Sequence, residues 1–314
     1  MKIAILGAGR MGSLIGGFAT LGGAECYLID TWKEHVDTIN RDGLTIYNNE
    51  DEPFNVKCRA YTSADQIGEK MDLIVVLVMG MYTRQALGAA MCLADEHTYV
   101  ISLQNGLGHV EVLEEFFPKE RILYGIVPYG GTVLGPGKVK TLTSETAESH
   151  FGSDAFEEPN DFMKEFASIM CAHGLHFYAD KKSHVDSEIW FKLAKNCSGN
   201  PVCAVCRLPL GPYTNTDAAH GVEITLFMEV CAVAKAMGIT VEKLATGNKI
   251  STESKMYNHL PSTAQDVKLR HKTEIDYLNG AVARLGDKYG VPTPYNHMIT
   301  ALVKIVEENY DSQF

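Results

Sequence analysis

Lys192, Asn196 and Asn200 fall at every fourth position of one apolar stretch that also holds Ile189, Trp190, Leu193, Pro201 and Val202. On a helix this spacing puts all three on one face. One cation and two amides then project from an apolar surface. Such a set can hold a small anion, stabilise a developing oxyanion and deliver a proton. A lysine on its own would instead read as part of a solvated face. Two later residues suit the same chemistry. Ser262, within Pro261–Asp266, offers a hydroxyl and a backbone N–H to a carboxylate. Glu274 stands beside Ile275 and Leu278 at what reads as the start of a long amphipathic helix. A carboxylate there serves either a site or the positive end of a helix dipole.

A second group of residues points to a dinucleotide. Gly7-Ala8-Gly9-Arg10-Met11-Gly12 follows the apolar run Ile3–Leu6 and opens an amphipathic stretch. In a strand–turn–helix setting, Gly7 permits the turn, Gly9 lets backbone approach a pyrophosphate, and Gly12 lets the helix pack closely. The helix start then presents unpaired N–H groups to the phosphates, with Ala8, Arg10 and Met11 in the same loop. Asp30 closes the second strand-like run. A carboxylate there hydrogen-bonds ribose hydroxyls and repels a 2′-phosphate, which favours NAD(H) over NADP(H). The alternative is a cap for the helix beginning near Lys33. Asn105, in Gln104-Asn105-Gly106-Leu107-Gly108, follows another strand-like run, where ligands of open parallel sheets bind. It serves a ligand there, or forms a simple Asn-Gly turn.

The elements that carry these residues follow from apolar periodicity. Ile3–Leu6, Glu25–Asp30, Asp72–Val78 and Tyr99–Leu103 read as strands. Arg10–Leu21, Lys33–Arg41, Tyr82–Ala94 and Gly108–Phe116 read as intervening helices. Leu44–Tyr47 and Phe54–Ala60 read as extended. This alternation predicts an α/β fold with a doubly wound parallel sheet. Glycines and prolines between Arg121 and His150 predict an antiparallel extension of that sheet, followed by a helix over Glu158–Ala172 and a strand over Leu175–Tyr178. Beyond Lys182 the spacing turns helical over Ser187–Cys206, Gly221–Met237, Val241–Tyr257, Lys272–Tyr289 and Tyr295–Glu308. Residues 1–182 are therefore expected to form a Rossmann-type dinucleotide-binding domain, and residues 183–314 an all-α substrate and catalytic domain.

Composition narrows the partners. The 314 residues carry 28 Lys and Arg against 39 Asp and Glu, a formal charge of −11. Such a chain repels phosphate backbones and anionic lipid, and its basic clusters, Lys138/Lys140 and Lys268/Arg270/Lys272, have acidic neighbours. Nucleic acid and membrane are not expected as partners. The longest apolar run, Leu73–Met81, is far short of the roughly 20 residues of a membrane span. No secretory signal is read at the start, so a reducing, cytoplasmic setting is expected. Most cysteines (Cys26, Cys92, Cys171, Cys231) lie among apolar residues and read as small hydrophobes. Cys203 and Cys206 form a lone CxxC without a second ligand pair, so no metal is expected.

The order and content of these motifs resemble the ketopantoate reductases (2-dehydropantoate 2-reductases). GAGRMG at 7–12, QNGLG at 104–108, WFKLAKNCSGNP at 190–201, PSTAQD at 261–266 and KTEIDYLNGAV at 272–282 cover nearly the whole chain. The resemblance implies a Rossmann domain followed by a helical domain, an active site in the cleft between, and hydride transfer from NAD(P)H to the C2 carbonyl of a 2-keto acid, as from ketopantoate to pantoate. It implies Lys192 as the catalytic lysine, Asn105 near nicotinamide and substrate, Asn196 and Asn200 on the substrate, Ser262 on its carboxylate, and Glu274 ordering the substrate hydroxyl or the lysine. Members using NADPH usually carry a basic residue after the second strand and a lysine after the strand matching Asp72–Val78. This chain has Asp30-Thr31-Trp32 and Met79 there. The Ile29-Asp30-Thr31-Trp32 ending of the second strand resembles the NAD-dependent branch of the family, which includes D-2-hydroxyacid dehydrogenases acting on bulkier 2-keto acids. A homodimer is compatible with the exposed helical domain. Two other classes fit parts of the pattern: a dinucleotide-binding sensor without catalysis, and another two-domain dehydrogenase of 3-hydroxyacid or sugar-phosphate type. The first would lack the polar set of Lys192, Ser262 and Glu274. The second would want more cations than Lys195, Arg207, Lys268 and Arg270 supply.

Overall fold

Alternate residues of β1 (Lys2–Leu6) enter different cores: Ile3 and Ile5 pack on one side of the sheet, Ala4 and Leu6 on the other. Burial on both faces is what a central parallel strand requires. The computed structural model describes residues 1–142, 147–243, 249–254 and 256–313. Its further strands are β2 (Glu25–Ile29), β3 (Leu44–Tyr47), β4 (Pro53–Val56), β5 (Arg59–Tyr61), β6 (Leu73–Val76), β7 (Tyr99–Ser102), β8 (Ile122–Ile126), β9 (Gly130–Gly135), β10 (Lys138–Leu142), β11 (Glu148–Gly152) and β12 (His176–Ala179). The helices are α1 (Arg10–Leu21), α2 (Lys33–Asp42), α3 (Thr83–Ala90), α4 (Val110–Leu113), α5 (Asp161–Cys171), α6 (Lys182–Cys206), α7 (Leu210–Thr214), α8 (Asp217–Ala236), α9 (Ser262–Lys268), α10 (Asn279–Tyr289) and α11 (Pro294–Glu308).

Two compact units result: Met1–Gln104 with His109–Val185, and Asn105–Gly108 with Asp186–Phe314. The first holds an eight-stranded sheet in the order β12-β11-β8-β7-β6-β1-β2-β5. Its strands from β5 to β8 are parallel, and only β11 meets its neighbour β8 antiparallel. The expected antiparallel extension is thus only partly realised. β8 continues the parallel sheet, and the hairpin β9–β10 leaves it to form a four-stranded sheet, β4-β3-β10-β9. The extended run over 54–60 also divides, β4 joining the small sheet and β5 the large one. The Asn40 side chain clamps Ala60 from the free edge of β5, donating to its carbonyl at 2.8 Å and accepting from its N–H at 2.9 Å. A side chain there does what another strand would do.

His35 on α2 ties the two sheets. Its Nδ1 accepts the Gly137 N–H at 3.0 Å from the β9–β10 turn. Nε2 must therefore carry the proton toward Ser13 Oγ at 3.2 Å, and Ser13 in turn donates to the Ala8 carbonyl at 2.7 Å. This arrangement needs a neutral ring. Burial lowers its pKa below the usual value, against the opposing pull of Asp30.

In the second unit, Trp190, Leu193, Ala194 and Cys197 of α6 pack with Phe227, Val230, Val233 and Ala234 of α8 and with Leu278 and Val282. That spacing of three and four residues is the buried stripe of α6. Pro201 lies inside the helix and removes the N–H that would bond the Cys197 carbonyl. The Asn279 amide takes that carbonyl at 3.0 Å, and the Tyr213 hydroxyl takes the next one, of Ser198, at 2.9 Å.

Two expected helices differ. Residues 272–278 are not helical, with a turn only over 275–278, and α10 begins at Asn279, since the Thr273 hydroxyl accepts the Ile275 N–H at 3.2 Å and competes with helical bonding. Among the described residues of 241–257 there is no helix. There the Asn215 side chain holds Ile250 through both its N–H and its carbonyl. Among the described residues no helix is long and apolar enough to cross a membrane.

Candidate active site

The glycine loop sits between β1 and α1, pinned by the N–H groups of Gly7 and Ala8 to the Ile29 carbonyl at 2.9 and 3.1 Å. Gly7 has φ +91°, and a β-carbon there would lie 2.8 Å from Val78 N. A β-carbon on Gly12 would stand 1.9 Å from the Gly7 carbonyl oxygen, so α1 meets the turn itself before it meets the strand. At Gly9 nothing lies within 4 Å of that position. Gly9 also caps α1 without a side-chain hydrogen bond, and no acidic residue stands in the first turn. A helix N-terminus beside open space, with no acidic residue in its first turn, fits a pyrophosphate. Ala8 is buried in the core and Met11 packs against it, so these two offer backbone rather than side chains. Arg10 is half-buried, its stem against Gly131.

Asp30 is half-buried directly after β2, and its Oδ1 accepts the Trp32 N–H at 2.9 Å. It forms an Asx turn and does not cap α2, whose N-cap is Trp32. Trp32 stacks on His35 with ring centroids 5.0 Å apart. Met79 is half-buried in extended backbone just after β6.

The polar residues of the second unit gather in two pairs along α6. Lys192 Nζ donates to Asn105 Oδ1 at 2.8 Å. Two turns on, the Asn200 amide lies 3.5 Å from Ser262 Oγ, a long and weak bond. Asn196 lies one turn from each, about 6 Å along the axis. All five are half-buried. Asn105 is held by its loop. The Leu107 N–H bonds the Tyr277 carbonyl at 2.9 Å, and Gly106, at φ +90°, passes so close that a β-carbon would lie 2.2 Å from that oxygen. Before the loop, Gln104 is anchored through its amide to the Val78 carbonyl at 2.7 Å and to Thr83 Oγ1 at 2.8 Å. Glu274 is half-buried in the turn segment that also carries Tyr277, and its carbonyl accepts the Tyr277 N–H at 2.9 Å. Because it precedes α10 by several residues, it is not a first-turn charge of that helix.

Gln104, Tyr277 and Asn279 do positioning work that the sequence reading missed. Gln104 and Asn279 are neutral amides whose partners lie far away in sequence, and Tyr277 acts through its backbone. All eight cysteines are free, and Cys92 and Cys171 are exposed rather than buried among apolar neighbours.

Comparison with known proteins agrees along the whole chain. The profile "Ketopantoate reductase PanE/ApbA" matches residues 3–153, and "Ketopantoate reductase PanE/ApbA C terminal" matches residues 184–307. The 2-dehydropantoate 2-reductase of Lactococcus lactis subsp. lactis is 34% identical over 313 residues, 98% of each chain. The ternary structure of D-mandelate dehydrogenase with NADH and anilino(oxo)acetate superposes with a TM-score of 0.85 at 29% identity, over 99% of this chain and 100% of that one. The PanE/ApbA family ketopantoate reductase of Ralstonia eutropha JMP134 superposes with the same TM-score, 0.85, at 28% identity, also over 99% and 100%. The chain belongs to the ketopantoate reductase PanE/ApbA family, a group of NAD(P)-dependent oxidoreductases of 2-keto and 2-hydroxy acids.

Proposed function

We propose that the chain is an NADH-preferring reductase of a bulky 2-keto acid, yielding the D-2-hydroxy acid. Asp30 carries this reading: a half-buried carboxylate stands where a 2′-phosphate would need a cation, and Met79 supplies none. The likeness to a D-mandelate dehydrogenase bound to NADH and an anilino-substituted oxoacetate supports both the cofactor and a bulky substrate.

The nicotinamide, when bound through Gly7–Gly12 and Asp30, supplies a hydride to C2 of the substrate. The protein supplies the rest. Lys192 Nζ, aimed by Asn105 Oδ1 at 2.8 Å, hydrogen-bonds the C2 oxygen. It neutralises the charge that develops there and gives up a proton as the hydroxyl forms. Asn196, Asn200 and Ser262 hold the carboxylate and any distal group, fixing the carbonyl for attack. Glu274 orders the lysine or the product hydroxyl.

The test is kcat/KM for ketopantoate and for phenylglyoxylate-type acids, each with NADH and NADPH, in the wild type and in Asp30→Asn. The asparagine keeps an acceptor for the Trp32 N–H and removes only the charge. NADH and the aryl acid should lead in the wild type, and the substitution should raise the NADPH/NADH ratio by about tenfold or more. A wild-type preference for NADPH, or for ketopantoate, would overturn the respective half of the reading.

A further inference from the structure

His150, Asp180 and His184 come together at the outer end of the large sheet, and none of them has a role in the proposed reaction. One ligand atom from each lies within 4.8 Å of the other two. His150 lies on β11 in register with Ile126 and Tyr178. Asp180 follows β12, its N–H fixed to the Phe151 carbonyl at 2.9 Å, and His184 lies in the first turn of α6. Three separate elements therefore present the three groups from hydrogen-bonded backbone. The His150 and His184 rings meet edge to face, with centroids 4.8 Å apart.

We infer that these three side chains form a binding site for a divalent transition-metal ion of the zinc type. Two imidazoles and one carboxylate are a donor set that zinc accepts, with a further position left to water. Donors around zinc lie about 3.3–3.5 Å apart. His150 Nδ1 and Asp180 Oδ2 are now closer than that, 2.7 Å, within reach of a hydrogen bond through one proton. The ion takes the place of that proton, and the His184 ring moves inward by a rotation about its own side chain. The second nitrogen of His150 already faces a carboxylate: Nε2 lies 3.7 Å from Glu148 Oε2. Ligating histidines commonly carry such a partner on the ring nitrogen that does not bind metal. The nearby cations are engaged elsewhere, Lys181 with Glu158 at 2.6 Å and Lys182 with Asp154 at 2.8 Å. His150 is nearly enclosed, its side chain 7% exposed, while Asp180 at 30% leaves a way in from solvent. The sequence offered only Cys203 and Cys206 as ligands, because these three residues are joined by the β11–β12 pairing rather than by short spacing.

The experiment uses the full chain, stripped with a chelator, dialysed, and titrated calorimetrically with zinc chloride, with cobalt(II) as an optical reporter. A single ion should bind per chain, Tm should rise with bound metal, and the cobalt form should show ligand-field bands without thiolate charge transfer. His184→Gln and Asp180→Asn should abolish the stoichiometric binding and the Tm rise. Glu148→Ala, at an exposed position, should weaken binding by about tenfold or more. Absence of stoichiometric binding in the wild type, binding unchanged in His184→Gln, or a thiolate band would each overturn the assignment.

Discussion

At the scale of single residues, the half-burial of Lys192 matters less than what holds it. A lysine has a long arm and loses considerable side-chain entropy when fixed. Here the side-chain oxygen of Asn105 accepts from the ammonium at 2.8 Å, which fixes the end of that arm in one place. Lys192→Ala should therefore lower kcat/KM for the 2-keto acid by about 10²–10⁴-fold. The Kd for dinucleotide, followed by fluorescence titration, should stay within a factor of about two, because the proposed pyrophosphate contacts are a different set, Gly7–Gly12. Turnover at wild-type level would remove Lys192 from the reaction. An equal loss of dinucleotide affinity would show instead that the substitution disturbs the fold. Asp30 is fixed in a similar way, by a bond to backbone rather than by burial. One oxygen makes the Asx turn at 2.9 Å, and a carboxylate has a second oxygen for other work.

At the scale of elements, α6 is the support of the polar set, and its weakest point is Pro201. A proline inside a helix costs about 3 kcal/mol or more when nothing compensates. The partners found here are the Asn279 amide and the Tyr213 hydroxyl. Asn279 is fully buried and shares its amide with Asn296 at 2.9 Å; Asn296 in turn donates to Glu229 at 2.7 Å. Asn279→Leu should leave the Cys197 carbonyl without its partner and lower stability by about 1–3 kcal/mol, read from the denaturant midpoint. An unchanged midpoint would mean that the Pro201 turn needs no such partner. The legibility of the fold divides on the same lines. β1, α1, β2, α2 and β6 could be read because local periodicity and long-range packing agree there. The polar face of α6 could be read because its residues share one helix. The partners of the Pro201 turn could not, since Asn279 and Tyr213 reach it from elsewhere in the chain. The Asn105 loop is similar: Gly106 looks like a simple turn until the Tyr277 carbonyl is seen beside it. The small sheet escaped for the same reason, as β3 pairs in parallel with β10, a strand nearly a hundred residues away.

At the scale of the molecule, the balance of −11 sets long-range repulsion of anions, but one contribution to acid sensitivity in the first unit comes from a buried neutral group. His35 links α1, α2 and the β9–β10 turn, so it holds the small sheet to the glycine-loop end of the large one. Its proton inventory is fixed by geometry. Nδ1 must accept from Gly137, and protonation there would set two donors against each other. Burial keeps the folded pKa below the ordinary 6.5. An unfolded chain takes up a proton as pH drops through 6.5 and the folded one does not, so acid favours unfolding. The stability that His35 contributes is complete above that pH and declines as pH falls toward its folded value, with a slope of at most about 1.4 kcal/mol per pH unit. His35→Gln removes the titration and keeps polar atoms at the same junction. The difference in unfolding free energy between wild type and variant should be constant above about pH 7.5. It should shrink as pH is lowered to about 5, because only the wild type loses stability through this ring. Denaturant titrations at a series of pH values give that difference directly, with the other histidines cancelling between the two proteins. A difference that does not change with pH would show that His35 is protonated in the fold or free to reorient. The Gly137 contact would then not be what joins the two sheets.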